Sequence, residues 1–278
     1  MIDIIVPVYN TPIKDLERCL NSILKQTITN YKVYIIDDGS NDMIKEYLDN
    51  FVKNKDNLIV KHIENGGVSN ARNVGIEISN SKYIAFVDAD DTVESNFLKE
   101  AYELIEDNNL DIIIGGYNEI RDGKVARTRK SLSGLYIYEG KNIDNFLEKI
   151  LASKTNENNK EIGDCPTGRI YTRLFKRDSI GNLRFDTNIH MSEDTLFMID
   201  YTNKAKRIGV VDACWYNYYK NDYSISRATK KEKMISNING FIKEIEKRMD
   251  SEPRNNIKKA YQARIEKANK SIDEIRKH

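Results

Sequence analysis

The chain has 278 residues, with 44 Lys+Arg against 43 Asp+Glu for a net charge of +1, and it is 40% hydrophobic and 31% charged. That length suits one large domain or a domain with an appendage, and the composition excludes disordered and fibrous chains. Balanced charge removes any global attraction to nucleic acid, while Cys19, Cys165 and Cys214, without CxxC spacing, exclude a disulfide framework and a zinc site and read as reduced thiols.

The chain opens on the strand-like IDIIVPVYN, with no basic stretch before an apolar one and no 18-residue apolar run anywhere. The expectation is a cytoplasmic protein without a signal peptide or a membrane span. Apolar runs at 2–8, 31–36, 58–63, 83–87 and 110–114 are near-continuous, as in strands covered on both faces. Between them, Leu16, Leu20, Ile23 and Leu24 recur at helical spacing, as do Ala101, Leu104 and Ile105. The first 116 residues thus predict an α/β domain with a mostly parallel sheet flanked by helices.

After Gly115-Gly116 the pattern loosens into a predicted hairpin (118–128 with 135–138), a helix near 142–151 and a polar loop over 154–163. A helix follows around 194–201, then a strand at 208–211 and an aromatic-rich stretch, WYNYYKNDYS. From Thr229 onward two helical segments are broken at Ser251-Glu252-Pro253, with Pro253 suited to a helix start. Residues 227–278 hold 15 Lys+Arg and 8 Asp+Glu, which leaves this tail at +7 and residues 1–226 at −6. The division is a main domain over 1–226, with halves 1–116 and 117–226, and a basic C-terminal helical pair over 227–278.

Polar and acidic groups gather where predicted strands end: Pro7-Val8-Tyr9-Asn10, Asp37-Asp38-Gly39-Ser40 and Asp88-Ala89-Asp90-Asp91. Open α/β sheets bind ligands at that edge. Residues two apart on an extended segment face the same way, so Asp88 and Asp90 can converge on one point. Two hard oxygen ligands without His or Cys suit Mg²⁺ or Mn²⁺. The competing reading is that these acids prepare the next helix, which Asp91 or Thr92 would cap. In the stretch from Asn65 to Asn73 paired glycines precede a helical pattern, which suits an anion at a helix N-terminus with Arg72 adding charge, or an ordinary helix start with a surface arginine.

VPVYN at 6–10, DDGS at 37–40, GGVSNARN at 66–73 and FVDADD at 86–91, in this order, resemble the family 2 glycosyltransferases. The resemblance implies a GT-A fold, a UDP-sugar donor, a divalent metal (Mn²⁺ or Mg²⁺) and inversion at the anomeric carbon. By it, Pro7 and Tyr9 flank the nucleoside, Asp38 accepts from the base, and Asp37 braces the loop. Arg72 lies near base and diphosphate, Asp88 faces the ribose or the metal, and Asp90 ligates the metal.

Met191-Ser192-Glu193-Asp194 resembles the family's ED motif, which makes Asp194 the catalytic base and Glu193 the lesser candidate. The alternative there is an acid pair complementing a helix dipole, with Ser192 as cap. Tyr171 stands where the family has tryptophan, and Lys220, Ser226 and Arg227 match a segment that closes over the diphosphate. Trp215 is assigned to the core.

The resulting expectation is transfer of a hexose or N-acetylhexosamine to a hydroxyl of a glycan acceptor, either a surface polysaccharide intermediate or a protein-linked glycan. No nucleic acid is involved. The C-terminal helices pack on the catalytic domain or a partner, and their charge also permits peripheral contact with the inner membrane face. A nucleotidyltransferase would need a glycine-rich phosphate loop after strand one, which Asn10-Thr11-Pro12 does not provide. A non-catalytic nucleotide-sugar-binding scaffold is the alternative from another class.

Overall fold

The computed structural model describes residues 1–131, 134–152, 165, 167–220 and 231–277. The elements run β1 (Ile2–Val8), α1 (Ile13–Leu24), β2 (Tyr31–Asp38), α2 (Asp42–Val52), β3 (Leu58–Ile63), α3 (Val68–Ile78), β4 (Tyr83–Phe86) and β5 (Thr92–Val93). Then come α4 (Phe97–Asp107), β6 (Ile112–Arg121), β7 (Lys124–Arg129), β8 (Leu135–Glu139) and α5 (Ile143–Ala152). The chain continues with β9 (Arg173–Lys176), α6 (Arg177–Ile180), α7 (Glu193–Thr202), β10 (Arg207–Tyr219), α8 (Lys231–Ser251) and α9 (Asn255–Lys277).

Among the described residues, the ten strands form one sheet, ordered β3-β2-β1-β4-β9-β6-β10-β5, with β7 on β6 and β8 on β10. The β3-β2-β1-β4 half is parallel. Beyond it β9 runs antiparallel between β4 and β6, so the sheet is mixed. β1 shows why this half folds as it does. Ile2, Ile4, Val6 and Val8 pack with α1, α2 and α4 on one face, while Ile5 packs with Ala71 and Ile76 of α3 on the other. A strand apolar on both sides has no solvent face and must sit in the middle. Gly75 lets α3 approach β1, since a Cβ there would lie 2.4 Å from Ile5 Cγ2.

The sequence pattern placed a break at Gly115-Gly116, but β6 runs straight through both. A Cβ on Gly115 would lie 2.4 Å from Trp215, and one on Gly116 would lie 2.4 Å from the Arg129 carbonyl oxygen. These glycines allow close approach of neighbours within the sheet. β8 pairs with β10, not with the 118–128 segment, which closes its own hairpin as β6 and β7. β10 is 13 residues long, not four, because the aromatic stretch is itself strand, with Trp215 and Tyr216 buried.

The C-terminal helices lie on the α3 side. Ile238, Phe241, Ile242 and Ile245 of α8 are buried in one cluster with Phe146 and Leu147 of α5, as are Ile257, Tyr261, Ile265 and Ile272 of α9. Burying a large apolar side chain stabilises by about 1.5–3 kcal/mol, so these eight, six of them isoleucines, make the pair part of the core. Arg248 reaches Asp200 of α7 at 2.6 Å, and Arg254 reaches Asp144 of α5 at 2.7 Å. Among the described residues, no helix is long and apolar enough to cross a membrane.

Candidate active site

Where β1, β2 and β4 end, the acids do different work. Asp37 is fully buried: Oδ1 accepts from the Ser40 N–H at 3.1 Å, and Oδ2 lies 2.6 Å from Nδ1 of His62 on β3. Ser40 Oγ accepts from the Asn10 N–H, which ties the β2 turn to the end of β1. Asp37 therefore braces the loop. Pro7 is buried within β1, whereas Tyr9 is 48% exposed at the rim. Asp38 accepts at 2.8 Å from the N–H of both Gly66 and Gly67, the residues that lead into α3. Burial pushes its carboxyl up, and the two backbone N–H groups partly offset this.

Arg72 projects from α3 and is 3% exposed, so it is no surface arginine. One terminal nitrogen donates to Glu193 Oε1 at 3.0 Å and Asp194 Oδ1 at 2.8 Å; the other donates to Asp88 Oδ1 at 3.0 Å. One guanidinium thus joins the end of β4 to the start of α7, residues 88 and 194 being remote in sequence. Burial opposes its charge, but Asp194, Asp88 and Glu193 raise its pKa overall. Burial, then Asp194, pushes Glu193 up.

Asp194 is 9% exposed, and its other oxygen accepts from the Ile170 N–H at 3.2 Å. Ser192, the residue before the pair, sits at φ 64 and makes no side-chain cap, so the expected serine cap is absent. A non-glycine left-handed residue of this kind costs on the order of 1 kcal/mol and is concentrated at functional sites.

Within Asp88–Asp91 the roles separate. Asp91 does not cap α4, which starts at Phe97; it is buried, accepting from the Tyr216 hydroxyl at 2.7 Å and the Tyr219 N–H at 2.8 Å. That Tyr216 hydroxyl in turn accepts from the Asp88 N–H at 3.1 Å. Asp88 and Asp90 remain partly exposed. Burial, and then Asp88, pushes the Asp90 carboxyl up to about 6. Among the described residues its carboxylate hydrogen-bonds only its own backbone N–H.

No cluster of three or more potential ligands occurs among the described residues. Two crowded carboxylates, one lacking an outside partner, fit a hard divalent cation that completes its shell with water and phosphate oxygens. Asp88 and Asp90 are the residues that could hold it.

Lys220 is not free at the rim, for its Nζ pairs with Glu119 at 3.0 Å. Ser226 and Arg227 lie outside the described residues. Tyr171 is 4% exposed and stacks on Tyr216 at 4.5 Å, so it fills the core beneath the rim. Trp215 packs on Phe97, as the core assignment expected. His190 is exposed. Two contributors were given no site role from the sequence, although Tyr216 stands in the aromatic-rich stretch noted there. Arg18 donates to the Asp90 carbonyl at 2.5 Å and lies 3.7 Å over the Tyr219 ring, and Tyr216 joins Asp88 to Asp91 as described above.

Solved structures with this architecture define its class. The fold superposes on S. aureus TarS 1–349 in complex with UDP-GlcNAc with a TM-score of 0.66, at 21% identity, covering 88% of this chain and 66% of that one. It superposes on the mannosyltransferase PcManGT from Pyrobaculum calidifontis, in complex with GDP-Man and Mn²⁺, with a TM-score of 0.59 at 15% identity, covering 95% and 68%. This is the GT-A fold.

Residues 3–183 match Glycosyl transferase family 2, and the chain belongs to that family. It is 29% identical over 245 residues to the uncharacterized glycosyltransferase EpsJ of Bacillus subtilis (strain 168), covering 86% of this chain and 66% of that protein. It is also 29% identical over 248 residues to the poly(ribitol-phosphate) beta-N-acetylglucosaminyltransferase TarP of Staphylococcus aureus (strain N315), covering 85% and 68%. The chain spans 66%, 39% and 34% of the length of EpsJ and of the glycosyltransferases GlyG and GlyA of Streptococcus pneumoniae.

Proposed function

We propose that the chain is an inverting, metal-dependent glycosyltransferase that moves a hexose or N-acetylhexosamine from a UDP-sugar to a hydroxyl of a glycan acceptor. The observation that carries this reading is the Arg72 bridge, which holds Asp88 of the donor rim and the Glu193–Asp194 pair in one cluster. The UDP-GlcNAc in TarS and the N-acetylglucosaminyl transfer in the name of TarP favour a UDP-sugar as donor.

The exposed Tyr9 offers a face for the base, and Asp38 holds the 65–67 turn that shapes the nucleoside end of the site. Asp88 and Asp90 would hold Mn²⁺ or Mg²⁺, whose charge neutralises the departing diphosphate. A sugar hydroxyl needs a base within hydrogen-bond reach to attack at neutral pH. Among the described residues each Asp194 oxygen has one partner for its two lone pairs, which leaves a lone pair for the acceptor hydroxyl. As the acceptor oxygen bonds to the anomeric carbon, the bond from that carbon to the β-phosphate oxygen breaks. UDP leaves with the electron pair, and the hydroxyl proton passes to Asp194.

The test is release and transfer of sugar from a panel of UDP-sugars and GDP-mannose, with Mn²⁺ or chelator. One UDP-sugar turned over with metal is the expected result. Asp194→Asn should then cost about a hundredfold or more while donor binding persists. Binding of UDP and metal without any sugar release would replace this reading with a non-catalytic nucleotide-sugar binder. Full activity in Asp194→Asn, lost instead in Glu193→Gln, would move the base by one residue.

A further inference from the structure

The segment from Thr167 to Arg173 runs between the sheet and the start of α7, and Ile170, Tyr171, Thr172 and Arg173 are all buried. It meets the Glu193–Asp194 pair through a backbone donor. The Ile170 N–H reaches Asp194 Oδ2 at 3.2 Å, while Arg72 holds Oδ1 at 2.8 Å. A carboxylate gripped at both oxygens resists rotation, so these two donors fix where its remaining lone pairs point.

The backbone that presents this N–H has an unfavourable shape. Thr172 sits at φ 66, and its buried hydroxyl has no hydrogen-bond partner among the described residues. A β-branched residue in the left-handed region is a true outlier, and an unpaired buried hydroxyl adds a desolvation cost. Such a turn persists only where its surroundings over-determine it. The Thr172 carbonyl accepts from the Gly115 N–H of β6 at 2.9 Å, which ties the turn to the sheet.

Arg173 supplies the second hold. It stands opposite Ile114 of β6, and its guanidinium bends back onto the turn. One terminal nitrogen donates to the Tyr171 carbonyl at 2.6 Å, and the other to the Thr167 carbonyl at 2.9 Å. From α7, the Thr195 hydroxyl adds a looser contact to the Gly168 carbonyl at 3.4 Å. Burial pushes the Arg173 pKa down to about 10, a sign of how unfavourable a cation is at this depth. A methionine would fill much of the same space without that penalty, but it has no donor for two separate carbonyls.

We propose that Arg173 is a positioning residue for the general base: by drawing the Thr167 and Tyr171 carbonyls onto one guanidinium, it holds the strained turn at Thr172 and aims the Ile170 N–H at Asp194. This rests on the reading of Asp194 as the base and deepens it. With Oδ2 oriented by the turn and Oδ1 by Arg72, the free lone pairs keep one direction as the acceptor hydroxyl arrives. A misplacement of about 1 Å can lower a rate on the order of a hundredfold, and Arg173 acts at one remove, so a loss of about tenfold is expected.

The experiment compares wild type, Arg173→Met and Arg173→Lys by amide hydrogen exchange and by turnover. In Arg173→Met the Ile170 amide should exchange about tenfold faster or more, with the Leu174 and Phe175 amides of β9 unaltered. The ammonium of Arg173→Lys still donates to a carbonyl, so there the change at Ile170 should be only about threefold. Equal acceleration at all three amides would make Arg173 a plain core residue and overturn the proposal, as would an unaltered Ile170. Should Arg173→Met not fold, the selective change at Ile170 in Arg173→Lys decides in its place.

Turnover is read as release of UDP from UDP-GlcNAc, or from whichever UDP-sugar the donor panel selects, with Mn²⁺. Water is the acceptor, and Asp194 takes the proton of the water that replaces UDP on the anomeric carbon. In Arg173→Met kcat should fall about tenfold with the donor KM changed by less than about twofold. That effect should vanish in an Asp194→Asn background, because a base that is absent cannot be misaimed. Losses of the same size in both backgrounds would overturn the proposal. No release of UDP by wild type from any UDP-sugar would sink the transferase reading, while the exchange data still decide whether Arg173 aims the turn at Asp194.

Discussion

Replacing Arg72 by methionine keeps most of the side chain's length and removes one charge and three contacts to carboxylates. Asp88, Glu193 and Asp194 would then face one another with side chains 28%, 15% and 13% exposed and no cation between them. Breaking a buried pair by deleting one partner costs about 3–5 kcal/mol, because the remaining charge is left desolvated. With a urea m-value of about 3 kcal/mol per molar, the midpoint should fall by roughly 1–1.7 M at pH 7.5.

The loss has a pH signature. Carboxylates without a counter-charge take up protons, so at pH 5 part of the repulsion disappears and the deficit should narrow. The assay is urea unfolding followed by circular dichroism at both pH values, with wild type alongside. A deficit below about 1 kcal/mol at pH 7.5 would place Arg72 among ordinary surface pairs and refute the argument. A deficit of equal size at pH 5 would also refute it, since repulsion among acids would not be its source.

Three further outcomes follow from the same geometry. Asp90 has its pKa raised to about 6, so the metal-free chain loses up to about 3 kcal/mol as pH rises from about 4 through 6. A cation must displace that proton, so the Mn²⁺-induced rise in melting temperature should be small at pH 5 and full above pH 7, and absent in Asp90→Asn; an equal rise at both pH values counts against Asp90 as ligand. For His62, burial lowers the pKa, but the hydrogen bonds to Asp37 and Asp49 outweigh it, and the net shift is upward. Its stabilisation is complete below the unfolded-state value and fades as pH rises through the folded one, so His62→Gln should cost more at pH 5.5 than at pH 9, by under about 1 kcal/mol, and a flat difference would contradict this. Gly75→Ala gains about 1 kcal/mol of helix propensity but forces a methyl onto Ile5, so it should lower the melting temperature and be partly rescued by Ile5→Ala; a stabilised single mutant would dispose of the close-approach argument.

β1, β2 and β4 of the parallel half were legible because each is a largely apolar run whose burial needs no knowledge of distant residues, whereas β3, read as covered on both faces, is the sheet edge with only Leu58 buried. The second half was not. β8 finds β10 some 70 residues away, and β10 hides its strand character behind alternating aromatics that read equally as pocket lining. At the site, the motif acids were visible as types, but their division of labour was not. Asp91 looks like Asp90 in the sequence and differs from it only because Tyr216 and Tyr219, about 125 residues on, occupy its oxygens. Arg72 was visible as a charge near a helix start; that it would clamp Glu193 and Asp194 depends on how α7 docks, which no local pattern encodes.

The Asp38 contact to Gly66 and Gly67 sets a constraint on how this fold can treat a diphosphate. In dinucleotide-binding sheets, a glycine-rich turn at a helix start offers its N–H groups to the ligand's phosphates. Here the chain has spent two such donors on a carboxylate of its own, which already sits where the α3 dipole favours negative charge. A second anion brought to that helix end would meet Asp38 first. Evolution toward a tighter phosphate grip is thereby closed off at α3 and left to side chains that can be exchanged one at a time, so donor preference can drift without disturbing the core of the sheet.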